Sequence, residues 1–364
     1  MSVLTRYLNR MFLVRLLVVL FGIIGFAAVV DLLDVAEDLV QAPEGAWLAG
    51  LRYFGLRLPI MLSELTPIAA LIASLLTVAD LLRHRELVVV WSSGVRPLSI
   101  LRMLLPMGIV LVAGKFLIDD LAVPRATTAL RRWGIGEYRH TPADGQAGNH
   151  YWLRSGNDVI RLSANAVSVG QVRGITIFRR DDTGILTERI DADRALPVPG
   201  GWRLEGATRS VVGTRRVESL PALDWDGAID LERVQLLARS PRELSLAELH
   251  DVATAGGYGL RPREPYLTWL HQRLAGSLVP TFLMLLAFAL VRRFSRTASI
   301  APVFMAAVSI GFSLLIISGV ASALGEVGVI PPPLAAWAPP LALGALVLFL
   351  AVRDGGFRRR PLTR

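Results

Sequence analysis

Six apolar stretches, most of them longer than the ~18 residues that cross a bilayer, constrain this chain more than any motif in it. They fall at about 16–30, 58–79, 97–121, 269–291, 300–324 and 331–352. With 53% hydrophobic residues in a chain of 364, this pattern is that of a polytopic membrane protein. Segment 122–265 breaks it: charges of both signs are interspersed there with glycine, asparagine and aspartate. The expected fold is a polytopic α-helical membrane protein with six transmembrane helices and an inserted all-β, jelly-roll-like domain. Its parts are 1–121, with spans one to three; 122–265, the β domain with flanking helical segments; and 266–364, with spans four to six and a basic tail.

Charge gives the topology. Arg6, Arg10 and Arg15 precede the first run, and Arg292, Arg293 and Arg296 follow the fourth. Arg353, Arg358, Arg359 and Arg360 follow the sixth, and a further cluster lies at 83–102 between the second and third. Six spans put all of these on one side, the cytoplasm by the positive-inside rule. Both termini are then cytoplasmic, and 31–38 and the β domain lie outside, in the periplasm of a cell with two membranes. The net charge of +9 is thus a topology signal, and no nucleic-acid partner is implied. The first run has no small-residue cleavage site after it and reads as an uncleaved span.

Within the insert, short β-like runs alternate with turn signals. Residues 151–154 and 159–162 flank Ser-Gly-Asn-Asp, and 175–179 and 185–190 flank Asp-Asp-Thr-Gly, which predicts two hairpins. Further strands are expected at 202–207, 210–212 and 216–220, giving an antiparallel sandwich or jelly roll. Ser245 and Glu248 have capping-box spacing at the start of a short helix.

Few chemistries are available. There is no cysteine, and no phosphate-binding G-x-x-x-x-G-K-[ST], H-E-x-x-H or G-x-S-x-G pattern. The five histidines lack ligand spacing, so neither a metal site nor a catalytic residue is expected. Four polar features remain. Glu64 lies inside the second run, where a carboxylate costs ~3 kcal/mol on insertion scales; it is functional, or it reaches water at the outer interface. Lys115, the single lysine, is placed to pair with Asp119 at i, i+4. Asp31, Asp34, Glu37 and Asp38 form a solvated helix end or an ion site. Pro59 and Pro67 predict a kink in the second span, and Pro339 and Pro340 an irregular start to the sixth.

The fourth feature is the stretch at about 80–96, DLLRHRELVVVWSSGVR, between the second and third runs. It is too polar to span and too apolar for a loop, and reads as an amphipathic helix on the membrane surface. An integral protein with no catalytic motif, a cytoplasmic surface helix and a large external domain reads as a transport subunit energised from elsewhere. A membrane scaffold or sensor, binding one partner through the β domain and another through the surface helix, is the rival reading.

The second run and this helix resemble the permeases of the lipopolysaccharide-export ABC transporter, the LptF/LptG family. Glu86, Leu87 and Gly94 match the family pattern E-L-x-x-x-x-x-x-G of the coupling helix. LAVPR at 121–125 resembles the exit from the third span, and LSLAELH at 244–250 and the Pro-rich stretch 328–339 resemble the LptG branch. The alternative within the family is LptF. The resemblance implies an LptF-like permease partner, a cytoplasmic LptB-like ATPase dimer that binds ATP and Mg, a periplasmic LptC-like bridge, and lipopolysaccharide as cargo, with no cofactor on this chain. It implies that Arg83, Arg85, Glu86, Leu87, Val90, Trp91 and Gly94 couple to the ATPase, Leu87, Val88, Val90 and Trp91 filling its groove. ATP binding would then move spans one, two and five and expel the lipid. Phe26, Leu33, Met61, Glu64, Leu65, Phe312 and Ile316 are the lipid-cavity candidates. Where the family pattern has lysines at the outer end of span one, this chain has its four acidic residues.

Overall fold

The computed structural model describes residues 3–92, 97–138, 150–163, 167–168, 171–214, 217–227, 229, 239–254, 263–294 and 301–355. The chain forms two compact units, Met1–Arg139 with Leu267–Arg364, and His140–Tyr266. The second unit therefore begins later than residue 122.

The first unit is helical. Helix α1 (Val3–Asp34) is followed by the short α2 (Ala36–Val40), and α3 (Ala46–Arg83) by the surface helix α4 (Glu86–Ser92). Helix α5 (Pro97–Leu117) runs through a π-helical turn, Ile118–Ala122, into α6 (Val123–Trp133). Five helices are long and apolar enough to cross a membrane, and a sixth span is a pair of helices bent by 42°. The expected fourth span is thus broken, into α8 (Glu264–Gly276) and α9 (Val279–Phe294), after α7 (Leu246–Thr254) of the second unit. The last two spans are α10 (Ala301–Glu326) and α11 (Pro332–Gly355). Pro339 and Pro340 lie inside α11 without ending it, and the helix begins at Pro332, within the expected start at 331–333 and two turns before them.

Apolar pattern assigns each helix its place. In α9 the residues from Leu283 to Val291 are all buried, as in a helix surrounded by others. It packs against α3, α5, α10 and α11 and is the centre of the bundle. Helix α1 buries Leu8, Phe12, Leu16, Leu20, Ile24 and Ala28, one i, i+4 row that packs on α3 and α5 and leaves its other side exposed. Rows of this kind are the ridges that seat one helix in the grooves of another. A smaller cluster of Val35, Tyr53, Ile60, Val123, Leu130 and Ile135 joins α3 to α6. Helix α6 ends at Gly134, whose φ of +71° gives the left-handed turn that returns its N–H to the Leu130 carbonyl at 2.9 Å.

The second unit is one antiparallel sheet. Its strands are β1 (His150–Ser155), β2 (Asp158–Ser163), β3 (Val167–Ser168), β4 (Gln171–Arg180), β5 (Leu186–Val198), β6 (Gly201–Val211) and β7 (Val217–Trp225). The order is β1-β2-β4-β5-β6-β7, with β3 on β4. Both expected hairpins form, with Ser155 opposite Asp158 and Phe178 opposite Arg189. The two separate runs expected at 202–207 and 210–212 are one strand, β6. Leu162, Ile160, Ile175, Ile177, Ile190 and Leu204 are buried on one face at the period of two that a half-buried strand requires. The Trp225 indole N–H donates to Asp158 Oδ2 at 2.8 Å, tying the last strand to the first hairpin.

Candidate functional site

The joint between α3 and α4 is a two-residue turn. His84 N–H closes on the Asp80 carbonyl and Arg85 N–H on that of Leu82, both at 3.0 Å. Arg85 has φ +58°, the only positive value on a non-glycine residue among those described, a conformation costing roughly 1–2 kcal/mol. The turn lets α4 leave the axis of α3 at once. Leu87 is then buried at 4% exposure in the chain's own core, and Val90 packs beside it, while Val89 faces out. Leu87 thus anchors this seven-residue helix within the chain, where α4 packs against α3. Arg83 and Arg85 are exposed. The side chains of Val88 and Trp91, and Gly94, lie outside the described residues.

The turn is tied to α1. The Tyr7 hydroxyl donates to Glu86 Oε1 at 3.1 Å. Arg15 Nη2 donates to Asp80 Oδ2 at 2.5 Å, and His84 Nδ1 lies 3.3 Å from the same carboxylate. The Asn9 amide donates to the Met103 carbonyl at 3.1 Å, drawing in α5. Apart from the i, i+4 pair of Asp80 and His84, no periodicity in the sequence announces these contacts, which join residues 65 to 94 positions apart.

At the other end of α1 the acidic cluster divides. Asp31 takes a two-pronged bond from Arg57 of α3, both arms 2.8 Å, and Arg57 also donates to the Tyr138 hydroxyl at 3.0 Å. Asp38 accepts the Gly136 N–H at 2.9 Å. Asp34 and Glu37 are exposed. Lys115 donates to Asp119, as its spacing predicts, and to Ser63 Oγ at 2.9 Å, and Arg273 of α8 donates to the Asp119 carbonyl. This cluster sits on the π-helical turn and staples α3, α5 and α8. Both Lys115 and Asp119 side chains are only 10% exposed.

The lipid-cavity candidates separate into two groups. Phe26 and Leu33 of α1 and Phe312 and Ile316 of α10 are all more than half exposed. Met61 is buried in the bundle core and lines no surface, and Leu65 is partly buried against that core. Glu64 is exposed. Its position follows from a row on α3. Arg57 reaches α1, and Leu71 meets Gly311 of α10, where an added Cβ would stand 2.8 Å from Leu71 Cδ2. Glu64 is one heptad from each, and a heptad turns an α-helix by only ~20°. Arg57, Glu64 and Leu71 therefore share one face of α3, and Glu64 is among the charges that act on Lys115 of α5. A separate apolar groove of about 550 Å³ lies where α8 bends into α9 against α5, lined by Leu105, Ile109, Phe116 and Leu278. Its hydroxyls are engaged internally, Ser277 with Leu274 O and Thr281 with Gly108 O.

In the second unit Ser245 and Glu248 form the expected capping box. Ser245 N–H donates to Glu248 Oε2 at 2.7 Å and Glu248 N–H to Ser245 Oγ at 3.3 Å, with Arg239 adding a 2.9 Å ion pair. Burial pushes the Glu248 carboxyl up, but the Ser245 N–H and the Arg239 guanidinium together hold it below its ordinary value.

Six apolar spans, a surface helix after the second and a β insert after the third thus occur in one chain. A family model described as lipopolysaccharide export system permease LptF/LptG matches residues 6–353, nearly the whole length. The chain belongs to the LptF/LptG family. No curated protein matches it in sequence. As an LptF/LptG permease it is a lipopolysaccharide export protein of the membrane, and the matched region holds the whole β sheet and all but the first residues of the described spans. The described candidates for coupling and for the lipid cavity lie in the first unit, on α1, α3, the turn after it, α4 and α10.

Proposed function

We propose that this chain is the LptG-type half of an ABC transporter that extracts lipopolysaccharide from the inner membrane. An LptF-like permease completes the cavity, and a cytoplasmic LptB-like ATPase dimer, which binds the ATP and Mg, docks beneath α4. The lipid passes to the β domain, on the periplasmic side, and onward to an LptC-like bridge. Both termini are cytoplasmic.

The observation that carries this reading is the α3–α4 joint. A short helix anchored by Leu87 at the end of a spanning helix, with exposed arginines and a carboxylate at its first residue, is a surface built to be gripped. Movement of α4 passes directly into α3, on which Glu64 is exposed. A carboxylate at that position is costly in lipid, which supports a water-containing cavity or a partner on this face.

The test is co-expression with the cognate ATPase and partner permease. Glu86→Ala is expected to abolish ATPase co-purification and lipid-stimulated ATP hydrolysis while the permease still accumulates in the membrane. Normal assembly and normal stimulation in the variant would remove Glu86 from the coupling site. Failure of the unmodified chain to recruit an ATPase would favour the scaffold.

A further inference from the structure

We infer that Tyr7 is the resident occupant of the Glu86 carboxylate and is displaced when the ATPase docks, so that α1 senses the docking event. The inference rests on the function proposed above and adds a second helix to the coupling path.

Three observations carry it. First, Glu86 is not a free carboxylate waiting for a partner: the Tyr7 hydroxyl, 79 residues away in sequence, donates to it at 3.1 Å. Secondly, this bond is weakly supported by packing. Tyr7 is 43% exposed, so the ring is free to leave without opening a core. Thirdly, the next tie along α1 is of a different kind. Arg15 meets Asp80 at 2.5 Å with side chains 23% and 33% exposed, an ion pair that remains when Tyr7 lets go.

The chemistry gives the direction of exchange. A phenol is a neutral donor. A lysine or arginine presented by a docking protein makes a charge-assisted bond to a carboxylate, roughly twice as strong as a neutral one. The cation therefore wins Glu86, and the phenol is released. The inner end of α1 is then held to the α3–α4 joint through Arg15 and Asp80, with its first turns free of α4. Because the opposite side of α1 carries Phe26 and Leu33 toward the exposed face, occupancy of α4 is communicated to that face through α1 as well as through α3. Tyr7 is thus a positioning residue: it acts only through Glu86.

Tyr7→Phe deletes the donor and keeps the ring. The cognate ATPase, purified alone, is titrated onto the permease pair in lipid nanodiscs, and its dissociation constant and the lipid released per ATP hydrolysed are measured. Removing a competing neutral hydrogen bond is expected to tighten docking about two- to tenfold, and to lower the lipid-to-ATP ratio because α1 no longer reports whether α4 is occupied. In a Glu86→Gln background, where the acceptor charge is gone, Tyr7→Phe is expected to change neither quantity further. Unchanged or weaker docking by Tyr7→Phe, with unmodified permease binding normally, overturns the inference and leaves the proposed function standing. So does an equal effect of Tyr7→Phe in both backgrounds, which would mark the ring as a general packing element. An unmodified permease that recruits no ATPase overturns the proposed function and this inference together.

Discussion

Replacing Arg57 by alanine tests the claim that the outer end of α1 is held by a buried ion pair. The Arg57 and Asp31 side chains are 18% and 19% exposed, and the guanidinium makes two 2.8 Å bonds to the carboxylate and a third, at 3.0 Å, to Tyr138. Removing one member of a fully buried pair costs ~3–5 kcal/mol, mostly because the survivor is left charged and desolvated. Here about a fifth of each side chain still reaches solvent, so the expected loss for Arg57→Ala is about 2–4 kcal/mol. Asp31→Asn keeps an acceptor and should lose less. The double replacement Arg57→Met with Asp31→Leu removes both charges and is expected to lie within about 1 kcal/mol of the parent. Unfolding by sodium dodecyl sulfate in mixed micelles, read by tryptophan fluorescence, compares these proteins, and the single variants Arg57→Met and Asp31→Leu complete the cycle for the double replacement. A loss below about 0.5 kcal/mol for Arg57→Ala, or a double variant as damaged as the sum of the singles, would refute the reasoning.

Four further perturbations follow from the same structure. Gly108→Ala places a methyl 2.7 Å from Thr281 Cγ2 and strains the Thr281–Gly108 bond, so a loss of about 1–3 kcal/mol is expected in the same unfolding assay. Gly55→Ala meets nothing within 4 Å and should change stability by less than about 1 kcal/mol. Lys115→Met strips Asp119 of its ammonium partner while Lys115 is nine-tenths buried, so folded yield in the membrane should fall sharply, and Asp119→Leu in the same chain should restore much of it. Glu248 is held below its ordinary pKa. Its contribution is therefore complete above its unfolded value, near ~4.3, and is lost as pH falls through the lower folded value. Exchange protection of the 246–254 amides, corrected for intrinsic rates, should fall in that acidic window, and Glu248→Gln should lower it at neutral pH and flatten the profile.

What could be read in the sequence, and what could not, divides by range. Run length placed the spans, because a helix must close its own hydrogen bonds in hydrocarbon. Turn chemistry placed both hairpins and the capping box, because Ser-Gly-Asn-Asp, Asp-Asp-Thr-Gly and S-x-x-E act over four residues. The Lys115–Asp119 pair was legible for the same reason. The break at Ser277 in the fourth span lies between Gly276 and Pro280, whose missing N–H cannot bond back to residue 276, so it was legible in the sequence; the two hydroxyls bonded across or along the bend are visible only in three dimensions. The acidic cluster looked uniform in sequence, but Asp31 and Asp38 are structural, and their partners Arg57 and Gly136 lie 26 and 98 residues away. The burial of Leu87 could not be read because seven residues are too few to show which face of α4 is covered, nor that of Met61, because an apolar residue in a span has the same chemistry inside and out.

The two ties on α1 bracket its apolar middle. Arg15 and Asp31 are sixteen residues apart, about 24 Å along a helix, somewhat less than a hydrocarbon core. Every residue between them is apolar or glycine, and the buried row Leu16, Leu20, Ile24 and Ala28 meets α3 and α5 by contacts that have no preferred direction. A helix held this way slides or tilts cheaply in its middle and is directed only at its ends. On the function proposed above, the two ends are expected to carry different duties. Breaking Arg57–Asp31 frees the end that flanks Glu64 and should degrade lipid handling while ATPase docking on α4 is unchanged. Breaking Arg15–Asp80 frees the end beside α4 and should degrade coupling first, with hydrolysis continuing as lipid release falls. Charge reversal of each pair, Arg57→Asp with Asp31→Arg and Arg15→Asp with Asp80→Arg, should restore its own defect and leave the other untouched. If either reversal repaired both defects, or if both single breaks gave the same phenotype, α1 would be a rigid strut rather than a helix steered from its two ends.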